Sequence, residues 1–163
     1  MTPYLEPPTD SHWYRPLVRC EIEALLAEFA WLIDHDQSER VAELFTEQGS
    51  YGRADGGRSV GREALRRAYA ARADRGPRLA RHLFTNLRLQ FGNHPDRLTG
   101  QCVLLLFADD GQAPLPAEVN LVADYEDEFE RGDDGIWRFA SRTVTHQFRH
   151  PGHKPVVLPL GKV

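Results

Sequence analysis

The first half of the chain has the hydrophobic spacing of helices. Apolar residues recur there at steps of three and four, which predicts an amphipathic helix from residue 17 to about residue 34. They are Val18, Ile22, Leu25, Leu26, Phe29, Leu32 and Ile33. A short second helix is predicted with Ser38 as its N-cap and Gly49 at its end. A short hairpin, residues 50–53 and 58–60, leads to a third helix over residues 62–74.

The second half of the chain alternates apolar and polar residues in the manner of strands. Four long segments are separated by turn sequences such as GNHPD and GDDG. The segments are residues 81–91, 98–108, 119–131 and 136–148. Helices followed by an antiparallel meander are typical of the α+β class. We therefore predict one α+β domain over residues 17–148, an extended N-terminal arm at 1–16 and a C-terminal tail at 149–163.

Composition narrows the class of protein. The chain has 163 residues, 41% of them hydrophobic, which is enough for the core of one globular domain. It has no apolar run of membrane-spanning length and no N-terminal signal pattern, so we predict a cytoplasmic protein. Its net charge of −4 argues against nucleic acid as a partner. Cys20 and Cys102 stand far apart and predict neither a disulfide framework nor a cysteine zinc site.

Charge is distributed unevenly along the chain. A basic segment contains Arg62, Arg66, Arg67, Arg72, Arg75, Arg78 and Arg81. An acidic segment contains Asp124, Glu126, Asp127, Glu128, Glu130, Asp133 and Asp134. The simpler interpretation is two solvated faces. The alternative is that the two faces meet, within one subunit or between subunits.

Candidate chemistry lies where a polar residue breaks the local pattern. Asp34 follows the margin of the apolar stripe at the end of the first helix, where a carboxylate meets the unfavourable end of the helix dipole. On the pattern alone, Asp34 and Asp36 are equal candidates. His82 shares one face of its predicted strand with Phe84 and Asn86, a mixed aromatic and polar face that suits a pocket wall. A strand histidine is more often structural, yet histidine is the side chain best suited to proton transfer near neutral pH.

Two further polar features have simpler interpretations. Asp127 lies on an otherwise aromatic strand face, and we favour a salt bridge to an arginine such as Arg142 over a functional role. His146, His150 and His153 could supply zinc ligands, but their spacing crosses a strand end into a proline turn. We therefore predict no metal and no cofactor, while His146 alone could still reach a pocket.

Four stretches, in order, resemble a known family. They are FAWLIDHDQSERVAELFTEQGSY, VGREALRRAY, RHLFTNLRL and DGIWRFASRTV. Together they resemble the SnoaL-like branch of the nuclear transport factor 2-like superfamily, to which scytalone dehydratase and the bile-acid 7α-dehydratases belong. The resemblance covers about residues 17 to 148. It implies a cone-like curved antiparallel sheet, with helices packed on the concave face and a deep apolar pocket between them.

The resemblance also implies a catalytic pair. In the dehydratases an aspartate on the first helix and a histidine on the first long strand act together, which favours Asp34 over Asp36 and selects His82. Tyr51 falls near a tyrosine that activates substrate or water in scytalone dehydratase.

Accessory positions depart from the family pattern. Cys102 stands where scytalone dehydratase has a second pocket histidine, and Phe29 stands where the bile-acid enzymes have a catalytic tyrosine. His146 stands near the pocket arginine of those enzymes. The resemblance therefore implies that the Asp34–His82 pair of the dehydratases is present here, whereas the accessory residues around it differ.

These residues predict a cofactor-independent lyase or isomerase. Its substrate would be a hydroxylated cyclic or polycyclic ketone, polyketide-like or steroid-like, with His82 moving the proton, Asp34 fixing the imidazole and Tyr51 polarising the carbonyl. The candidate substrate-binding residues are Trp31, Phe45, Tyr69, Phe84, Asn86, Cys102, Tyr125, Phe139 and His146.

The alternative is a non-catalytic protein of the same fold. It would be a small-molecule carrier, or an assembly module like the β subunit of an oxygenase, in which His82 and Asp34 bond only structurally. Under either hypothesis we predict a homo-oligomer, a dimer or trimer, because one sheet face carries apolar residues that the helices cannot all cover.

Overall fold

The computed structural model describes residues 13–73 and 78–152 and contains helices and one sheet. Three helical segments occur: α1 over Tyr14–Asp34, a 3₁₀ helix over Ser38–Leu44 and α2 over Arg62–Ala73. The strands are β1 Phe45–Arg53, β2 Arg58–Val60, β3 Arg78–Phe91, β4 Arg97–Asp110, β5 Leu121–Arg131 and β6 Trp137–Arg149. No helix in these two ranges is both long and apolar enough to cross a membrane.

Helix α1 begins earlier than its hydrophobic spacing predicts. It starts at Tyr14, so the predicted arm is wrong for residues 14–16, and residues 1–12 lie outside the described part. Pro16 falls in the first turn, where a missing backbone N–H is tolerated because that N–H would have no helical partner. The predicted apolar stripe is buried as expected.

The second helix and the strand after it differ from the prediction. The helix is of the 3₁₀ type, and Ser38 does not cap it; its hydroxyl instead donates to the Tyr69 carbonyl oxygen at 3.2 Å. Gly49 does not end a helix but lies inside β1. A Cβ at Gly49 would fall 2.8 Å from Phe45 Cβ and 2.9 Å from the Phe139 carbonyl oxygen. Glycine is required there because β1 approaches β6 too closely for a side chain.

The sheet has six strands in the order β2-β1-β6-β5-β4-β3. Strands β3 to β6 form the predicted antiparallel meander, which confirms the α+β class. Strand β1 pairs with β6 in parallel, so the curved sheet is mixed and not wholly antiparallel. The parallel pairing follows from the path of the chain. Helix α2 connects β2 to β3 at the opposite edge of the sheet, and the meander from β3 to β6 then brings β6 beside β1.

A bulge in the edge strand β3 sets which residues face the interior. The β3–β4 register shifts between Thr85 and Arg88, and Asn86 adopts a φ of 55°. Before the bulge His82 and Phe84 point inward, whereas after it Leu87 and Leu89 pack against the core. Strict alternation places those two leucines on the face opposite His82, and the extra residue moves them to the same face. Asn86 is exposed instead of inward.

Candidate functional site

Asp34 and His82 are in direct contact. The last residue of α1 lies against β3, so that Asp34 Oδ1 is 2.6 Å from His82 Nδ1. The second oxygen, Oδ2, accepts the backbone N–H of His82 at 2.8 Å. The two side chains are only 6% and 8% exposed. An aspartate with both oxygens bonded fixes the position of the ring as well as its orientation.

The structure separates Asp34 from its competitor Asp36. Asp36 is exposed, two residues past the end of α1, and has a φ of 58°. Its backbone belongs to the turn that leads to the 3₁₀ helix. Asp34 is therefore the carboxylate that meets His82.

A half-open groove of about 820 Å³ runs between α1 and β3 beside this pair. One wall comes from α1 and the residue after it: Arg19, Glu23, Leu26, Ala27, Ala30, Trp31, Asp34 and His35. The other wall is residues 81–87 of β3. Because Nδ1 is bonded to Asp34, the free ring nitrogen of His82 is Nε2, which has no hydrogen-bond partner among the described residues.

The rim of the groove holds a stacked pair. The Trp31 and His35 rings lie 3.7 Å apart at 21°, and His35 Nδ1 is 2.9 Å from the Trp31 carbonyl oxygen. The Trp31 side chain is 56% exposed. It presents a flat apolar surface to whatever enters the groove.

The interior of the cone is occupied by an arginine. Arg142 is fully buried, and its guanidinium carbon lies 4.3–4.6 Å from the centres of four aromatic rings. The rings are those of Phe29, Phe84, Tyr125 and Phe139. Each comes from a different element, so the arginine ties α1, β3, β5 and β6 together.

Arg142 forms a salt bridge with Asp127, as the sequence predicts. Arg142 Nε lies 3.1 Å from Asp127 Oδ1, with both side chains inaccessible to solvent. Burial raises the pKa of Asp127 to about 6, while the guanidinium opposes that rise. Arg142 Nη2 also approaches Cys102 Sγ at 4.0 Å, and burial raises the pKa of that thiol to about 11. Asp127 and Cys102 therefore both contact the Arg142 guanidinium inside the core.

Most of the aromatic residues predicted to bind substrate form core instead of groove. Trp31, Phe84 and Asn86 line the groove. The residues buried in the interior are Phe45, Tyr69, Cys102, Tyr125 and Phe139. These side chains pack against one another in the core, where the ring centres of Phe45 and Phe139 lie 5.1 Å apart.

Tyr51 and His146 do not line the groove either. The Tyr51 hydroxyl lies 3.2 Å from that of Tyr125, behind Phe84, whose ring centre is 5.4 Å from that of Tyr125. His146 is exposed near the end of β6, close to the β1–β2 turn, where the Ala54 N–H donates to the Val144 carbonyl. These two residues and the Asp34–His82 pair are not brought together.

Some features of the site cannot be identified from the sequence. Arg19 and Arg81 line the groove, and their charge is the only property in the sequence that could indicate a role there. Arg142 shares its strand parity with Val144, which marks it as inward-facing, but nothing local shows that four rings surround it. Within the described ranges, no three His, Cys, Asp or Glu side chains lie close enough to hold a metal ion; His153 falls outside those ranges.

Comparison with protein families gives one match. A family described as "SnoaL-like domain" matches residues 17–143. No curated protein matches the chain.

Solved structures share the fold. A protein of unknown function from Mycobacterium tuberculosis is 26% identical, with a TM-score of 0.70 over 86% of this chain and 78% of that chain. A candidate scytalone dehydratase from Novosphingobium aromaticivorans is 19% identical, with a TM-score of 0.74 over 94% and 99% of the two chains. The β subunit of a candidate aromatic-ring-hydroxylating dioxygenase from the same organism is 16% identical, with a TM-score of 0.69 over 83% and 93%.

Proposed function

The chain belongs to the family of SnoaL-like domains, and on that premise we propose that it is a cofactor-independent acid/base enzyme of the dehydratase or isomerase type. Its substrate is a small hydroxylated cyclic or polycyclic ketone. The observation that supports this most is the buried contact between Asp34 and His82 beside an open groove. A general base needs a fixed ring, a free nitrogen and room for substrate, and this pair has all three.

In the proposed reaction His82 moves the proton. With Nδ1–H donated to Asp34, the lone pair of Nε2 takes a proton from the carbon next to the substrate carbonyl. Asp34 stabilises the imidazolium that forms and keeps its orientation, so Asp34 acts as a positioning residue. The electrons of the broken C–H bond pass into an enolate.

The same imidazolium completes either reaction. In a dehydration it gives its proton to a hydroxyl on the β carbon, which leaves as water while the enolate forms the conjugated double bond. In an isomerisation it returns the proton to another carbon of the enolate system. Trp31 and Phe84 supply flat apolar walls for such a ring system.

A role for Tyr51 stays a prediction. Its hydroxyl and that of Tyr125 lie behind Phe84, so they would reach a substrate carbonyl only after the Phe84 ring moves. Tyr51→Phe tests this role, because it removes the donor and leaves the ring packing. A tenfold or greater fall in kcat is expected if the hydroxyl polarises the carbonyl, and an unchanged kcat removes Tyr51 from the reaction.

The function is tested with a panel of β-hydroxylated cyclic ketones, followed by the ultraviolet absorbance of the conjugated product. Proton transfer by a positioned base contributes about 10²- to 10⁴-fold, so His82→Ala should lose at least that much. The matched control is His94→Gln, an exposed histidine in the β3–β4 turn. An enzyme whose rate survives His82→Ala does not use this pair.

A second candidate function is a non-catalytic binding or assembly module. The observation that favours it is the burial of Arg142 among four aromatic rings on the concave side of the sheet. The structural likeness to the β subunit of a candidate dioxygenase agrees with such a role. Calorimetry that shows binding of the ketones without turnover, unchanged in His82→Ala, would establish the module and exclude the enzyme.

A further inference from the structure

The edge strand β3 turns unpaired backbone groups toward α1. In a regular antiparallel pair, the N–H and C=O of every second residue point to the neighbouring strand, and those of the residues between them point away. The register of β3 with β4 is regular from Arg78 to Thr85. The His82 N–H points away from β4, because it donates to Asp34 Oδ2 at 2.8 Å. The backbone groups of Phe84, two residues further on, therefore point to the same free edge.

The partner strand agrees with this orientation. Leu106 lies opposite His82 on β4, and its carbonyl oxygen accepts the Asn120 N–H at 2.8 Å on the side away from β3. His82 and Leu106 thus form a pair whose backbone groups face away from each other. Phe84 and Leu104 are the next such pair along the two strands.

The groove lies where this free edge faces α1. The His82 N–H is bonded to Asp34 at the end of α1, and the Leu87 carbonyl oxygen accepts from Arg19 Nη1 of the same helix at 3.2 Å. Phe84 stands between these two contacts and lines the groove. Within the described ranges, no acceptor outside the sheet takes the N–H of Phe84. An unpaired backbone donor therefore points across the groove toward α1.

On the premise of the proposed function, we propose that the backbone N–H of Phe84 is the oxyanion donor of the groove. It binds the carbonyl oxygen of the substrate while His82 Nε2 takes the α proton. The electrons of the broken C–H bond move onto that oxygen, and the N–H stabilises the enolate that results. The N–H groups of His82 and Phe84 are two residues apart on one edge, about 7 Å. A carbonyl held at the second therefore lies beside the imidazole that is fixed at the first.

This backbone donor is better placed for the carbonyl than the side-chain donors nearby. The hydroxyls of Tyr51 and Tyr125 lie behind the Phe84 ring. Arg19 lies about 22 Å along α1 from Asp34, which places its guanidinium toward the other end of the groove. An N–H that the sheet already holds in place needs no reorganisation as negative charge develops on the substrate, and such donors stabilise a transition state most.

Replacing one amide by an ester tests the donor. Phenyllactic acid incorporated at position 84 of the full chain changes the N–H to an oxygen atom and keeps the phenyl ring. For the β-hydroxylated cyclic ketones, kcat should fall about tenfold or more while KM stays within about threefold, because the oxyanion forms only in the transition state. The matched control is lactic acid at position 80. Ala80 has the same edge orientation but does not line the groove, so kcat should stay at the wild-type value. Circular dichroism should show that both esters are folded.

Binding of an oxyanion provides a second measurement that needs no turnover. The probes are 4-nitrophenolate at pH 8.5, a flat ring with an oxyanion, and 4-nitroanisole, the same ring without the charge. Calorimetry should show that the ester at position 84 weakens 4-nitrophenolate about tenfold or more and leaves 4-nitroanisole within about threefold.

The outcomes separate the donor from the reaction. A kcat that survives the ester at position 84 would overturn the proposed donor. Equal effects on the two probes, or a wild-type chain that binds 4-nitrophenolate no more tightly than 4-nitroanisole, would overturn it as well. A wild-type chain that loses only the phenolate on esterification, yet converts none of the ketones, would support the donor and contradict the proposed reaction.

Discussion

Asp34 holds His82 at two points, through the ring nitrogen Nδ1 and through the backbone N–H. The two residues are 48 positions apart in the chain, and their contact fastens the end of α1 to the edge strand β3. An edge strand lacks a neighbour on one side, so its position depends more on such contacts. The pair therefore both orients the imidazole and maintains the groove wall.

The first prediction concerns the tautomer of His82. The carboxylate of Asp34 accepts from Nδ1–H, so the neutral ring should carry its proton on Nδ1 and leave Nε2 bare. Long-range ¹H–¹⁵N correlation spectra should show this form. Asp34→Asn should give a mixture of tautomers while His94, which serves as the internal reference, keeps its spectrum. A wild-type ring protonated on Nε2 would be unable to act as the proposed base.

The second prediction concerns the buried pair of Arg142 and Asp127. Arg142→Met should destabilise the protein by about 3–5 kcal/mol, because it leaves a buried carboxylate without its partner. It also removes the contacts with four rings. Asp127→Asn alone should be less costly, and adding it to Arg142→Met should recover part of the loss. Denaturant unfolding of the three variants measures these differences as a double-mutant cycle. Strictly additive losses would show that the two side chains do not interact.

The third prediction is a pH dependence of stability that arises from Asp127. Its pKa is raised to about 6 in the fold, whereas an unfolded aspartate titrates near 3.9. Between those values the folded chain binds more protons than the unfolded one. The resulting stabilisation is therefore complete below about pH 4 and is lost as the pH rises through 6.

The size of this effect is on the order of 2–3 kcal/mol, since each pK unit corresponds to about 1.4 kcal/mol. Asp127→Asn resembles the protonated form at every pH and should lack the dependence. The free energies of unfolding of wild type and Asp127→Asn, measured at pH 4.5 and pH 7, should diverge by about 2 kcal/mol. Parallel pH profiles would mean that Asp127 titrates normally.

The sequence predicts the position of a site residue when that position follows from the periodicity of one helix or strand, and does not when it depends on contacts between several elements. Periodicity alone places Phe29 in the core and gives Asp127 its inward parity, because both follow a regular element. Choosing Asp34 over Asp36 required the family resemblance, since the two acids lie within two residues of each other at the same helix end. The rings around Arg142 belong to four separate elements, so only the folded chain reveals that they converge on it.

The bulge in β3 marks another limit. A period of two assigns faces correctly only while the strand stays regular, and one extra residue reverses every assignment after it. His82 and Phe84 precede the bulge, so alternation places them on the correct face, whereas Leu87 and Leu89 follow it and alternation places them on the wrong one. The signal that could have shown it is Asn86, because asparagine is one of the few residues that tolerate a positive φ.

The fourth prediction tests that bulge. Asn86 holds a φ of 55°, which costs an ordinary L-residue about 1–2 kcal/mol and a β-branched residue more. Asn86→Val should therefore lower the free energy of unfolding by about 2 kcal/mol, whereas Asn86→Gly should keep it within about 0.5 kcal/mol of wild type. The matched control is Thr99→Val, an exposed residue of β4 in regular register with Gln90, where a β-branched side chain is favoured. If Asn86→Val proves as stable as Asn86→Gly, the backbone at residue 86 is not left-handed, and Leu87 and Leu89 must reach the core in another way.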